Sequence, residues 1–501
     1  MTPTSALAVL LAVTATTEAA PLPSTRRMSR AALEDKIRGG WAGQMIGVSF
    51  GAPTEFRSNG KIIEGPIAWQ PENVANAIYQ DDLYVEMTFA EVMDRFGLEA
   101  TSEQYGEMFK DSKYALWHAN AAARRLLNRG IKAPLSGHPK YNAHANDIDF
   151  QIESDFIGLM TPGLPREANK YADRVGRVMN YGDGLYGGMF FAGMYAAAFF
   201  ESDPEKVVRA GLLSIPEGSG YAKAIRDVLA EYAHNPADWK KAWQAITARW
   251  DKDDPCPDGA LRPFNIDARL NGAWVALGLL YGHGDFAKTL DVSTRAGQDS
   301  DCNPSSAAGV LGVILGYERI PDVWKAGIPR IATTRFDYTS HTFQSIVAST
   351  LARAYRVIEG AGGQITATEV VIPDETPSAP ALEQWDVDPP TKRAERGDAG
   401  WTWGADGPTF RFSGTGVALV GTMTQAGGRA DVFLDGEKAG EIDAYIVPNT
   451  NDNDLWHFTG ILAGEHTVRV VPRTDRDPRS SGTDLPIEFA IVYGKGPTSA
   501  P

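Results

Sequence analysis

The sequence has little cysteine: two residues, Cys256 and Cys302, in a chain of 501. That excludes a disulfide-dense scaffold while leaving room for a single bridge. Positive charge is also in deficit, with 48 Lys and Arg against 63 Asp and Glu for a net charge of −15. No basic run offsets it, and a chain of this sign repels phosphate backbones, so nucleic acid is excluded as a partner. No uncharged run reaches the roughly 20 residues that cross a bilayer. The apolar stretch Leu185–Phe200 stops at Glu201 and reads as a buried helix. The 51 glycines and 31 prolines follow no Gly-X-Y period, so a collagenous chain is excluded. Gly-Lys-Ser/Thr is absent, as is any Cys/His zinc spacing, which removes the usual phosphate cradle and zinc modules. What remains is an ordinary folded composition, 43% hydrophobic and 22% charged.

The first 24 residues lack Lys and Arg but carry an apolar stretch, Ala6–Val13, and then Thr17-Glu18-Ala19-Ala20 before Pro21. They read as a signal peptide, which places the mature protein outside the cytoplasm, secreted or periplasmic. Residues 25–362 read as a large all-α domain. Ala119–Asn128, Ala222–Tyr232, Trp239–Trp250, Leu270–Leu280 and Ile346–Ile358 show helical apolar spacing. Leu83–Phe96, Leu185–Phe200 and Ala307–Tyr317 lack a continuous polar face, as helices at the centre of a large domain do. Residues 363–395, rich in Pro, Thr and charge, read as a linker with room for one strand. Residues 396–498 then alternate in short runs: Thr409–Phe412, Val417–Val420, Ala430–Leu434, His466–Val471 and Ile487–Val492. Turn signals at Asp435-Gly436, Asn451–Asp454 and Ala463-Gly464 separate them, as in a small jelly-roll-like β-sandwich.

Carboxylates carry the chemistry. Gly297-Gln298-Asp299-Ser300-Asp301-Cys302-Asn303-Pro304 runs into an apolar helix, and Pro304 suits that helix's first turn. Asp299 and Asp301 therefore lie on the preceding loop, where two acids one residue apart can turn toward one hard cation. Helix capping is the plainer role for either acid. Gln80-Asp81-Asp82 opens another largely apolar helix, a costly pairing of like charge unless a cation or an Arg compensates, with two solvated N-terminal acids as the plainer alternative. In Asp147–Asp155, helical periodicity places Asp149 and Glu153 on the apolar side, and Asp147, Gln151 and Asp155 toward solvent. Core salt bridges to Arg are the alternative for the inward pair. Asp183 precedes the apolar helix as a site residue or a cap. Gly47-Val48-Ser49-Phe50-Gly51 fits the letters of a serine-hydrolase elbow but lacks its strand-turn-helix setting.

Taken together, residues up to about 360 resemble the ADP-ribosylglycohydrolase family. Gly47–Glu55 is similar to the family's Gly-Asp-Ala-x-Gly-x-Pro-x-Glu segment, Gln80-Asp81-Asp82 to its Thr-Asp-Asp, and Gly297–Asn303 to its Gly-Gly-Asp-Thr-Asp-Thr-Asn. The resemblance implies an all-α orthogonal helical fold, with metal ligands Asp81, Asp82, Asp299 and Asp301. It also implies one or two Mg²⁺ ions, with Ca²⁺ as the alternative. Glu55, Asp149 and Glu153 are the candidate general acid and base. Gln80, Asp147, Asp183 and Asn303 are the candidate substrate contacts. The chain departs from the family at Val48, Gln80 and Cys302, where the family has Asp, Thr and Thr. A thiol is a poor Mg²⁺ ligand, so one of the two metal sites is expected to be altered, vacant or occupied by Ca²⁺.

A leader, a β-module and three tryptophans (Trp401, Trp403, Trp456) able to stack on sugars, with packing in the module core as their commoner use, shift the expected substrate toward an extracytoplasmic carbohydrate. Removal of ADP-ribose from an acceptor, and non-catalytic glycan binding on a decayed fold, are the rivals.

Overall fold

The computed structural model describes residues 24–495, except 253, 384, 386, 449 and the side chains of 451 and 452. The expected signal peptide, apart from Ser24, lies outside the described residues. Helices dominate from Arg30 to Gly360. Two of them form the axis of the domain. Arg30–Gly51 lies against Cys302–Leu315 with Gly39, Gly43, Gly47 and Gly51 along its contact face. A Cβ at these four positions would overlap the carbonyl oxygens of Gly312, Ala308, Pro304 and Ser300 in turn. One series rises by four as the other falls by four, so the helices run antiparallel with backbones in contact. This explains Gly47 and Gly51 as packing residues. Ser49 between them is buried within the helix, which is no nucleophile elbow.

Apolar helices surround this pair. Asp183–Ala198 uses Gly188 against Phe150 and Gly193 against Ser214. Among the described residues no helix is long and apolar enough to cross a membrane.

One helical expectation fails. Residues 149–159 do not form an unbroken helix. The chain makes Asp149–Ile152, breaks at Glu153 and Ser154, and resumes at Asp155–Leu159. A single 100° period therefore does not run through the segment, and Asp147, Gln151 and Asp155 are fully buried rather than facing solvent. Gln151 accepts from Tyr221 Oη at 2.7 Å, and Asp155 from Tyr195 Oη at 2.7 Å.

The stretch expected as a linker contributes strands to both parts of the chain. Glu369–Pro373 pairs antiparallel with both Thr25–Ser29 and Gln364–Ile365, so the ends of the helical domain meet in a three-stranded sheet. Pro390–Glu395 opens a seven-stranded antiparallel sheet. At its centre Gly407–Met423 lies between Ile487–Tyr493 and Thr450–Pro472. Alternation sorts its residues: Val417 and Leu419 enter the module's own core, whereas Ala418 and Val420 join Phe489, Ile491 and Tyr493 against Ala260 of the helical domain. The Asp435-Gly436 turn is present, with φ of 50° and 93° as a tight hairpin requires. The turns expected at Asn451–Asp454 and Ala463-Gly464 are instead parts of the long bulged strand Thr450–Pro472. Asp454 is buried there, and its 2.7 Å ion pair to Arg125 offsets the cost of burying its charge. Trp456 is buried in the module core, whereas Trp403 is exposed and stacked on Trp401 at 5.4 Å.

Candidate active site

The glycine-packed helix pair sets where the acids lie. Because Gly51 touches Ser300, the end of the first helix meets the loop that carries Asp299 and Asp301. Thr54 Oγ1 lies 2.8 Å from Ser300 Oγ, and Phe56 N donates to Gln298 O at 3.1 Å. Glu55 is strapped between these two ties. Asp81 and Asp82 occupy the first turn of Asp81–Phe96. Asp82 Oδ2 accepts from Ser305 Oγ at 2.7 Å, across 223 positions of sequence.

The four aspartates meet. Cysteine offers one ligand atom, and Cys302 Sγ lies within 4.8 Å of an oxygen from each of Asp81, Asp82, Asp299 and Asp301. Burial pushes Asp81 up to about 6, and the Asp299 charge adds to it. Burial and then Asp81 push Asp82 well above the carboxylate range, and burial and then Asp299 do the same to Asp301. Oδ1 of Asp299 and Oδ1 of Asp301 are buried without hydrogen-bond partners among the described residues. Orphaned carboxylate oxygens converging in one place are the donor set a hard divalent cation needs, so the residues fit that group. Cys302 is the exception, since its thiol suits a softer ion.

Glu55 reaches solvent, yet desolvation, followed by the charges of Asp299 and Asp81, lifts its carboxyl to about 7. Asp149 and Glu153 lie deeper. Asp149 accepts from the backbone N–H groups of Ala119 and Asn120 at 3.2 and 2.9 Å, capping His118–Asn128 from a distance. Burial lifts it to about 7. Glu153 accepts from Asn120 Nδ2, and its Oε2 has no partner among the described residues. Burial and then Asp149 raise its pKa well above the usual range.

The expected substrate contacts scatter. Gln80 is half-buried at the start of its helix, beside Asp81. Asn303 is buried and donates to Asn271 Oδ1 at 3.0 Å. Asp147 is enclosed, bonded to His144 and Cys256. Asp183 accepts from Tyr221 N at 2.9 Å and lines a separate cavity of about 320 Å³ with Arg269 and Trp385.

Two site residues escape sequence reasoning. His118 supplies positive charge to Asp81, Asp299 and Asp149. Burial opposes its protonation, but a 2.8 Å bond to Asp258 and that residue's charge raise it to about 9. Nothing adjacent in sequence marks it. Gln298, buried at φ 57°, accepts from Asn265 N at 3.0 Å and donates to Pro263 O at 3.0 Å. It thereby fixes the loop opposite Glu55, and its place beside Asp299 was the available signal.

A helical domain that gathers four aspartates from two distant segments defines an acid-lined site on a mainly helical scaffold. The sequence model of ADP-ribosylglycohydrolases matches residues 29–359, and the chain belongs to this family of hydrolases. No curated protein matches the sequence. Among solved structures, an "ADP-ribosylglycohydrolase-related protein complex" is similar with a TM-score of 0.46 and 14% identity, covering 65% of this chain and 99% of that one.

Proposed function

We propose that the chain is a metal-dependent hydrolase that cleaves an O- or N-glycosidic bond of a glycan outside the cytoplasm. The observation that carries the hydrolytic reading is the meeting of Asp81, Asp82, Asp299 and Asp301 beside Glu55. These four would hold Mg²⁺ or a similar ion, which supplies positive charge to polarise water and fix sugar hydroxyls. Glu55 does the proton transfer. It faces solvent and balances between its two forms near neutral pH, so it can take a proton from water or give one to the leaving oxygen. Asp149 and Glu153 act from behind, holding the start of the His118 helix and keeping the floor of the site acidic.

The glycan reading rests on exposed aromatics. Tyr79 and Trp117, 73% and 53% exposed, closely precede Asp81 and His118. Exposed aromatic rings one or two positions along the chain from site residues suit sugar stacking. Trp403 offers a third face, and we assign the C-terminal sheet as a jelly-roll-like carbohydrate-binding module. Residues 1–24 support export. Family membership favours a second reading, removal of ADP-ribose.

A hydrolysis screen of the full chain on plant and microbial polysaccharides and on ADP-ribosylated protein, with and without EDTA, tests these readings. Metal-dependent release of sugar supports the first, and release of ADP-ribose alone replaces it with the second. Glycan binding with no product would mark a non-catalytic binder.

A further inference from the structure

A second group of metal-type donors is buried where the helical domain meets the C-terminal sheet, apart from the four aspartates and touching their site through Asp258, whose Oδ2 also holds His118 at 2.8 Å. His144 Nδ1, Asp147 Oδ2 and Cys256 Sγ mark a triangle. Its edges are 2.9 Å from His144 to Asp147, 3.1 Å from Cys256 to Asp147 and 3.1 Å from Cys256 to His144. All three residues are buried. Asp258 stands at a fourth corner, Oδ2 lying 3.9 Å from His144 Nδ1 and within 4.8 Å reach of His144 and Cys256 as a group.

Hydrogen bonding within the cluster leaves something over. Asp147 is 0% exposed, and its Oδ1 has no partner among the described residues. An unpaired buried carboxylate oxygen is costly and calls for a cation. The imidazole is also oriented from behind. Its Nε2 lies 3.6 Å from Asp454 Oδ1, and Arg125 holds that carboxylate at 2.7 Å. A histidine whose far nitrogen faces a carboxylate while its near nitrogen faces other donors is the usual support of a metal ligand.

We propose that His144, Asp147, Cys256 and Asp258 bind one Zn²⁺ ion that locks the C-terminal sheet onto the helical domain. One nitrogen, one sulfur and two carboxylate oxygens suit zinc, while Mg²⁺ or Ca²⁺ would avoid the thiol and imidazole. Tetrahedral Zn–N, Zn–S and Zn–O bonds separate donors by roughly 3.3–3.6 Å, so the triangle opens by about half an ångström on binding. The thiol proton, and any proton on Nδ1, leave to solvent as the bonds to zinc form, and no electrons move. Asp454 on strand Thr450–Pro472, and Tyr493, whose hydroxyl donates to Pro255 O at 2.9 Å, tie the sheet to this cluster. Zinc occupancy and docking of the sheet are therefore linked.

The chain's two cysteines make the test clean. In the full-length Cys302→Ser chain the one remaining thiol is Cys256. Stripped of metal and titrated with Co²⁺, a spectroscopic substitute for zinc, this chain is expected to show a thiolate-to-cobalt charge-transfer band and the intense visible bands of tetrahedral Co²⁺. A folded Cys302→Ser chain without those bands overturns the proposal. If that variant does not fold, the unsubstituted chain is compared with Cys256→Ser. Loss of the band in Cys256→Ser supports the site, and full persistence overturns it. Neither readout uses hydrolytic activity, so the outcome is separate from the fate of the proposed function.

Discussion

Ser305 donates its hydroxyl to Asp82 Oδ2 at 2.7 Å, and with that bond the first turn of Cys302–Leu315 holds the first turn of Asp81–Phe96. The same hydroxyl lies 3.3 Å from the carbonyl of Gln44, on the axial helix. Acid pairs far apart in the chain are thus tied by groups that belong to the core. Ser305→Ala is expected to cost about 1 kcal/mol of stability, as for one typical buried hydrogen bond. It is also expected to weaken divalent-cation binding. Denaturant unfolding with and without Mg²⁺ measures both effects.

The glycine face of Arg30–Gly51 makes a separate prediction. Gly47→Ala drives a methyl group into the Pro304 carbonyl, and overpacking of this kind costs roughly 1–3 kcal/mol. Because Pro304 follows directly on the Asp299–Asn303 segment, relief of the clash displaces the ligand loop. Both the denaturation midpoint and the cation affinity should fall, and a midpoint equal to that of the unsubstituted chain would show that the helices are not in backbone contact.

Buried acids make the metal-free protein sensitive to pH. Asp81 is raised from 3.8 to about 6, and Asp149 from 3.8 to about 7. The folded chain therefore binds more protons than the unfolded chain between these values, so stability falls as pH rises through them. The contribution is complete below 3.8 and lost above about 7. Scanning calorimetry of chelator-treated protein should show the melting temperature declining from about pH 4 to about pH 7. Mg²⁺, which takes the place of the protons, should raise it more at the upper end. A melting temperature that climbs over that range in the metal-free protein would contradict the burial of these charges.

Glu55→Gln keeps the size of the side chain and removes its proton exchange. The turnover number is expected to drop by about 10²–10⁴, the usual contribution of general acid–base catalysis, with KM little changed. The pH profile should also lose its inflection near 7, the value to which burial and the neighbouring aspartates lift this carboxyl. Steady-state kinetics on the substrate found in the polysaccharide screen provide the check.

Much of the site is legible because its acids sit in short runs at helix starts. Asp81-Asp82 opens one largely apolar helix and Asp299-x-Asp301 precedes another, and a local pattern suffices to mark them. The glycines at 39, 43, 47 and 51 are visible too, but their partner helix is not, since it lies far along the chain. Asp147–Asp155 misleads because helical periodicity presumes an unbroken helix, and neither Pro nor Gly announces the break at Glu153 and Ser154. Asn451–Asp454 misleads for a related reason. A polar run ordinarily marks a turn, but Asp454 is paired with an arginine from the other domain and stays in its strand. His118, His144, Cys256 and Asp258 come from three separate segments, so no sequence spacing reveals that they gather.

Calorimetric titration of Mg²⁺ into the chelator-stripped full chain tests the central claim most directly, that aspartates from two distant segments hold one divalent cation. Saturable binding is predicted for the unsubstituted chain, with the heat lost in both Asp82→Asn and Asp299→Asn while circular dichroism stays unchanged. Binding by either variant with the affinity of the unsubstituted chain would contradict it.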